Sequence, residues 1–113
     1  MKKHIGTALF LLLMSLMIIS SCQKKGDQNK PFIIMNPPNP QYSVQDQPYV
    51  DPGAEAFDVT EANDTIQIND RLQTTDNVNV EIAGIYQVYY NVSDEAGNKA
   101  DQQVREVKVL LGK

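Results

Sequence analysis

The sequence predicts an all-β fold, an antiparallel β-sandwich of about seven strands. Three observations lead to this prediction. Apolar and polar residues alternate in several short segments, which is the pattern of strands with one buried face. Turn-forming residues, such as the Asp-Pro-Gly run at 51–53, separate these segments. No window of helical length carries the apolar spacing of an amphipathic helix, and many short strands within about 80 residues are typical of a sandwich.

The N-terminal segment has the composition of a secretory signal. A short basic stretch precedes an apolar run, 5–19, which is too short to span a bilayer comfortably. The run ends in Ile-Ser-Ser-Cys at 19–22, which resembles the lipobox of bacterial lipoproteins. That resemblance implies that residues 1–21 are removed and that Cys22, the only cysteine, carries acyl chains such as palmitate. The alternatives are an ordinary signal peptide that ends near a cysteine, and an uncleaved anchor.

Residues 22–30 are expected to form a flexible tether, because no residue after the cysteine in this stretch is apolar. Its lysines can lie against anionic headgroups, although a solvated spacer is the simpler interpretation. Gln23 after the lipidated position resembles the outer-membrane sorting signal of many Gram-negative lipoproteins. This resemblance implies a bacterial cell-envelope protein held in the outer membrane, and it leaves open whether the domain faces the periplasm or the medium.

The remaining residues, 31–113, are expected to form one small domain. They carry 5 basic and 13 acidic side chains, a net charge of −8. Such a surface repels phosphate backbones, so nucleic-acid binding is disfavoured.

The alternation places the strands in chain order. We expect them at 31–35, 42–44, 54–58, 65–69, 77–82, 84–93 and 104–111. The strongest pattern is at 84–93, where the inward positions are Tyr86, Val88, Tyr90 and Val92.

Three weaker strands carry expectations of their own. In 65–69 we expect Ile66 and Ile68 to face inward, and in 77–82 the apolar residues at alternate positions, Val78, Val80 and Ile82. In the last strand Val104 is out of phase with Val107, Val109 and Leu111, which predicts a β-bulge between them.

Three stretches together resemble one bacterial family. They are Tyr-Val-Asp-Pro-Gly-Ala at 49–54, Gly-Ile-Tyr-Gln-Val-Tyr-Tyr-Asn-Val-Ser-Asp-Glu-Ala-Gly-Asn at 84–98, and Arg-Glu-Val-Lys-Val at 105–109. These motifs are similar to those of the bacterial Ig-like domain family named from an insecticidal crystal protein. The resemblance spans 31–110 and implies an Ig-like sandwich of the kind common in secreted and surface proteins. The Gly-x-Tyr at 84–86 also resembles the tyrosine corner of Ig-like folds, which makes Tyr86 a structural residue.

The sequence offers little for catalysis. The only histidine, His4, lies in the signal, and the only cysteine is expected to be acylated. Ser43 and Ser93 have no neighbouring base in sequence. We therefore expect no enzyme, no cofactor and no metal centre.

Recognition is the leading functional interpretation. Tyr42 and Tyr89 are the candidate exposed contacts for a protein or glycan partner, and the membrane is reached through the lipid at Cys22. The domain is then a recognition or adhesion module. The alternative is a structural spacer or subunit of an envelope assembly with no soluble ligand.

Acidic residues are expected to gather at one end of the sandwich. The polar loop at 58–64 and the final hairpin loop are expected to lie at the same end. They would bring together Asp58, Glu61, Asp64, Asp94, Glu95 and Asn98. Calcium takes six to eight oxygen ligands, but no fixed ligand spacing is present. We predict solvated loop acids, with Asp94 capping its own hairpin and no tight calcium site.

Overall fold

The computed structural model describes residues 28–113, which form two packed β-sheets. The strands are β1 (Phe32–Met35), β2 (Gln41–Val44), β3 (Ala54–Val59), β4 (Thr65–Gln67), β5 (Gln73–Asp76), β6 (Gly84–Asn91) and β7 (Gln103–Leu110), with a 3-10 turn at Asn69–Arg71. One sheet has the order β1-β3-β4 and the other β2-β7-β6-β5. The all-β, seven-stranded sandwich is confirmed. Within the described part, the pairing of β2 with β7 is parallel, whereas the other pairings are antiparallel.

The hairpin of β6 and β7 lies at the centre of the four-stranded sheet. Val88, Tyr90 and Val92 are buried and Tyr86 is half-buried, so the inward face of β6 is the one expected from the alternation. The buried apolar core joins this face to the inner face of the other sheet, and it consists of Ile33, Ala56, Ile68, Val88, Tyr90, Val92, Val107 and Val109.

The bulge predicted in the last strand is wrong. The register of β6 with β7 runs without interruption from Gly84↔Val109 to Tyr90↔Gln103. Val104 is 39% exposed on the outer face, and the inward position next to it is filled by Arg105, which is 0% exposed. A buried arginine, and not an extra residue, explains the change of phase.

The strand predicted at 77–82 is also wrong. The edge strand is β5, and the residues after it form a loop in which short polar side chains bond to nearby backbone. Asp76 Oδ1 accepts from Val78 N at 2.9 Å, and Asn79 Oδ1 accepts from Glu81 N at 3.0 Å. Such local bonds compete with a strand ladder. Val78 packs on the core, whereas Ile82 is exposed.

In the predicted strand 65–69, both isoleucines lie on the inward face as expected, because Ile66 is the register partner of the buried Asp58. Ile68 is buried, but Ile66 is 45% exposed at the edge of the sheet. The backbone pairing of β4 with β3 stops early because the side chain of Asn69 replaces a backbone acceptor. Its Oδ1 accepts a hydrogen bond from Ala56 N at 2.7 Å. The chain then enters the 3-10 turn.

The two ends of the sandwich are formed by different loops. We call the end formed by loops 60–64 and 93–102 the entry end, because the N-terminal segment joins the domain there. There Lys30 Nζ lies 2.9 Å from Asp101 Oδ1, and Asn29 Nδ2 donates to the carbonyl of Val59 at 3.3 Å. The far end holds the loops 45–47 and 77–83, joined by the bond from Asp46 N to the carbonyl of Val80 at 2.8 Å.

Candidate functional site

The two tyrosines proposed as exposed contacts lie on the same outer face but not side by side. Tyr42 is on β2 and 60% exposed, whereas Tyr89 is on β6 and half-buried. Their register partners on β7 are Lys108 and Val104, four residues apart, which is about 13 Å along the strand. A single small ligand would therefore not contact both tyrosines at once.

Tyr42 instead belongs to an exposed apolar surface that crosses three strands. We call this surface the outer patch, and it consists of Tyr42, Val44, Ile85 and Leu110 around Lys108. Lys108 is opposite Tyr42 on one side and opposite Ile85 on the other, and Val44 is opposite Leu110. The Lys108 Nζ lies 5.8 Å from the centroid of the Tyr42 ring and 3.6 Å from Glu106 Oε1.

The apolar members of the outer patch were missed in the sequence, although a signal was present. Ile85 and Leu110 occupy outward positions of β6 and β7, out of phase with the buried residues of the same strands. Contiguous exposed apolar surface of this kind marks interaction sites in soluble domains.

A buried polar network lies on the inner side of the four-stranded sheet. It joins residues of the three sequence motifs at 49–54, 84–98 and 105–109. The Arg105 Nε lies 3.1 Å from Tyr90 Oη, and its Nη2 donates to the carbonyl of Gly53 at 2.9 Å. Tyr90 Oη donates to Asp51 Oδ1 at 2.6 Å, and Tyr49 Oη donates to the same oxygen at 3.1 Å. Arg105 Nη1 also bonds to the carbonyl of Pro38.

The network holds its tyrosines in the protonated form. Burial, followed by the hydrogen bond to Asp51, raises the pKa of Tyr90 to about 12. Burial and the charge of Asp51 also raise the pKa of Tyr49. Both phenols remain donors at physiological pH, so the network fastens the 49–53 segment to β6 and β7. Its role is structural.

Tyr86 makes a separate bond at the start of β6. Its hydroxyl donates to the carbonyl of Ile82 at 2.5 Å, and its nearest ring atoms lie 3.8 Å from the position that a Cβ on Gly84 would take. This is the geometry of a tyrosine corner, which closes the turn before the strand.

The acidic residues do gather at the entry end. A concavity of about 560 Å³ is lined by Asp58, Glu61, Asp94 and Glu95, among others. Asp64 is not part of this lining. Among residues 28–113, no group of three or more His, Cys, Asp or Glu side chains is arranged to hold a metal ion.

Asp94 caps its own hairpin. Its Oδ1 accepts from Asn98 N at 2.8 Å and its Oδ2 from Asn98 Nδ2 at 2.9 Å. Burial by itself raises the pKa of this carboxyl, but the bonds from Asn98 and the backbone of Ala96 and Gly97 outweigh it and hold the pKa below its ordinary value.

Comparison with known proteins places the chain in a family. The family described as bacterial surface protein, Ig-like domain, matches residues 33–109. The chain belongs to this family. The narrower naming from an insecticidal crystal protein rests on motif resemblance alone. No curated protein matches the chain.

A solved structure shares the fold of this surface Ig-like domain. It is the lipoprotein BT2262 from Bacteroides thetaiotaomicron, with 23% identity and a TM-score of 0.58. The match covers 74% of the present chain and 39% of that lipoprotein. The chain thus spans about two fifths of that protein. The family match fits an envelope module, and the solved structure shows that the fold is shared.

The membrane-anchoring residues lie outside the part that the structure describes. The predicted signal peptide 1–21 and Cys22 precede residue 28, so their role stays a prediction. Within 28–113, no helix is long and apolar enough to cross a bilayer.

Proposed function

We propose that the protein is a lipid-anchored, non-enzymatic recognition module of the bacterial envelope that binds a partner through the outer patch. The single observation that carries this proposal is the patch itself. Tyr42 and Ile85 are 60% and 59% exposed, on either side of Lys108 in one register row. Family membership supports an envelope role.

The chemistry of the outer patch favours a protein partner. Its rim and centre combine aliphatic side chains, an aromatic ring and one cation, and aromatic residues are enriched in the cores of protein interfaces. The partner surface would be apolar with an acidic group that reaches Lys108. A glycan partner would use the Tyr42 ring and leave Val44 and Leu110 without a role.

The position of the outer patch suits a partner away from the membrane. The anchor would attach at Cys22, and nine residues to Pro31 reach about 30 Å at most when extended. The chain joins the domain at the entry end, where Lys30 meets Asp101. Val44 and Leu110 adjoin the far end, since Gln45 N donates to the carbonyl of Leu110 at 2.8 Å.

The alternative, a spacer or subunit within an envelope assembly, rests on a different surface. The outer face of the three-stranded sheet exposes Phe32 and Ile34, and the rings of Phe32 and Phe57 stack with centroids 5.4 Å apart. An apolar face on each side of the sandwich would allow lateral packing among neighbours.

Site-specific crosslinking in intact cells distinguishes the two. A photo-reactive amino acid replaces Tyr42, Ile85, Ile34 or Glu95 in separate variants, with the last as an entry-end control. The proposal expects one discrete crosslinked species from the first two positions alone, and its loss in a Val44→Ser, Leu110→Ser background. Crosslinks from Ile34 that survive those changes would support the spacer. Crosslinks from neither face, or equal crosslinks from Glu95, would reject recognition through the outer patch.

A further inference from the structure

A second concavity at the entry end is separate from the acidic one. It lies between the 3-10 turn and the base of the β6–β7 hairpin, has a volume of about 650 Å³, and is lined by polar and small apolar side chains. This volume is in the range of small-molecule pockets, about 300–1,000 Å³. Arg71 lines both concavities and so lies at their shared boundary.

Cations are concentrated in this concavity. Residues 31–113 contain five basic side chains, of which Arg105 is buried in the core. Two of the other four, Arg71 and Lys99, line the same concavity in a domain with 13 acidic groups.

The two cations are placed on either side of Ser93. Lys99 is opposite Ser93 in an isolated antiparallel bridge. The Arg71 Nε donates to the carbonyl of Ser93 at 2.7 Å and its Nη2 to the carbonyl of Asp94 at 3.2 Å. These bonds fix the plane of the guanidinium. Within residues 28–113, neither Arg71 nor Lys99 forms a salt bridge.

Apart from Asp70, the rest of the lining is neutral and suited to hydroxyl groups. Gln73 and Asn91 are register partners on β5 and β6, so their amides are adjacent. Asn91 Oδ1 accepts a hydrogen bond from Gln102 Nε2 at 3.2 Å. The amide nitrogen of Asn91 is therefore directed away from Gln102. Leu72, Val92 and Ala100 supply an apolar floor, and Asp70 supplies one acceptor.

We propose that this concavity binds an acidic saccharide, a sugar that carries a carboxylate. The carboxylate lies between Arg71 and Lys99, because a guanidinium with a fixed plane suits a planar anion. Sugar hydroxyls bond to Gln73, Asn91 and Ser93. The net charge of −8 repels extended polyanions, which favours a ligand with few charges and many hydroxyls. This site is independent of the outer patch.

The test uses the full chain in detergent micelles, labelled with ¹⁵N, and three probes. These are trigalacturonic acid, the neutral sugar galactotriose, and inorganic phosphate. We expect trigalacturonic acid to shift the amide signals of Gln73, Asn91 and Lys99, with much weaker effects from the other two. Lys99→Gln removes one charge-assisted bond and should weaken binding about tenfold. The matched control Lys108→Gln removes a cation from the other end of the sheet and should leave the affinity unchanged.

Each other outcome overturns the proposal. Equal binding of galactotriose would remove the role of the carboxylate, and equal binding of phosphate would leave only a simple anion site. Equal loss in Lys99→Gln and Lys108→Gln would indicate unspecific attraction. A weak single-sugar site has a dissociation constant on the order of 5 millimolar. If these three residues show no shifts up to that probe concentration, the concavity is not a saccharide site. Gln73→Ala, which leaves every charge in place, should also weaken binding while the spectrum of the core is retained.

Discussion

The guanidinium of Arg105, buried in the four-stranded sheet, lies 3.4 Å from the carboxylate of Asp51 in the segment before β3. Tyr90 Oη bonds to both groups. A buried charge is costly unless it is paired and hydrogen-bonded, so each member of this network depends on the others. The network therefore makes the 49–53 segment part of the core although it contains no strand.

Replacing Arg105 should be among the most destabilising changes in the domain. Arg105→Met removes the only cation beside Asp51 in the network and the donor to the carbonyl of Gly53, which should cost about 3–5 kcal/mol of unfolding free energy. Lys108→Met is the matched control, because its exposed ion pair contributes about 1 kcal/mol or less. Urea unfolding followed by circular dichroism measures both. Comparable losses in the two variants would mean that the buried network contributes little.

The two adjacent tyrosines of β6 should respond very differently. Tyr90 is fully buried, so Tyr90→Ala should cost roughly 3–5 kcal/mol through the cavity it leaves. Tyr90→Phe keeps the ring and loses the bond to Asp51, which should cost about 1–3 kcal/mol. Tyr89→Ala, on the outer face, should cost about 1 kcal/mol. Thermal melts rank the three, and a loss at Tyr89 as large as that at Tyr90 would contradict the assignment of faces.

Much of the fold was predictable because alternation needs only local sequence. The inward and outward faces of β6 followed from alternation within one stretch of sequence, whereas the count of seven strands agreed only because β5 stands in place of the strand expected at 77–82. The burial of Arg105 was not predictable in this way, since charged residues are usually exposed. The apolar neighbour Val104 was therefore expected to face inward instead. The phase that Arg105 shares with Val107 and Val109 was the available signal.

The candidate site was less accessible to sequence reasoning. The outer patch unites residues from β2, β6 and β7, and the parallel pairing of β2 with β7 that brings Tyr42 beside Lys108 has no local signature. Likewise, the edge strand Gln73–Asp76 has no buried residue, so it lacked the apolar alternation that marks strands. Both features depend on contacts between distant segments.

Asp94 should make stability depend on pH in the acid range. Its folded-state pKa is depressed below the ordinary value of an aspartate, so its contribution is complete above that ordinary value and is lost as the pH falls through the folded pKa. Asp94→Ala should therefore lower stability at pH 7, and the gap from the wild type should narrow below about pH 4. Asp101→Ala, in an exposed pair with Lys30, is the control and should show a small loss. A constant gap from pH 7 to pH 2 would rule out this role for Asp94.

The acidic concavity should not bind calcium tightly. Asp94 already accepts two bonds from Asn98, and Asp58 Oδ1 accepts from Val59 N at 2.9 Å, so both carboxylates have partners. We expect the melting temperature to change by about one degree or less between 2 millimolar calcium and chelator, since a site with Kd near 20 micromolar would add about 2.7 kcal/mol. A rise of several degrees that disappears in Asp58→Asn would establish a calcium site at the entry end.

Anchoring should depend on the single cysteine. Cys22→Ser removes the sulfur to which the lipid would be attached, and the protein should move from the membrane fraction to an uncleaved or soluble form. Two acyl attachments give stable membrane association, because each buried CH₂ contributes about 0.8 kcal/mol. Ser21→Ala keeps a small residue before the cysteine and should leave anchoring intact. Labelled fatty acid incorporation and detergent partitioning measure the difference. Unchanged incorporation in Cys22→Ser would show that the lipid is carried by another residue.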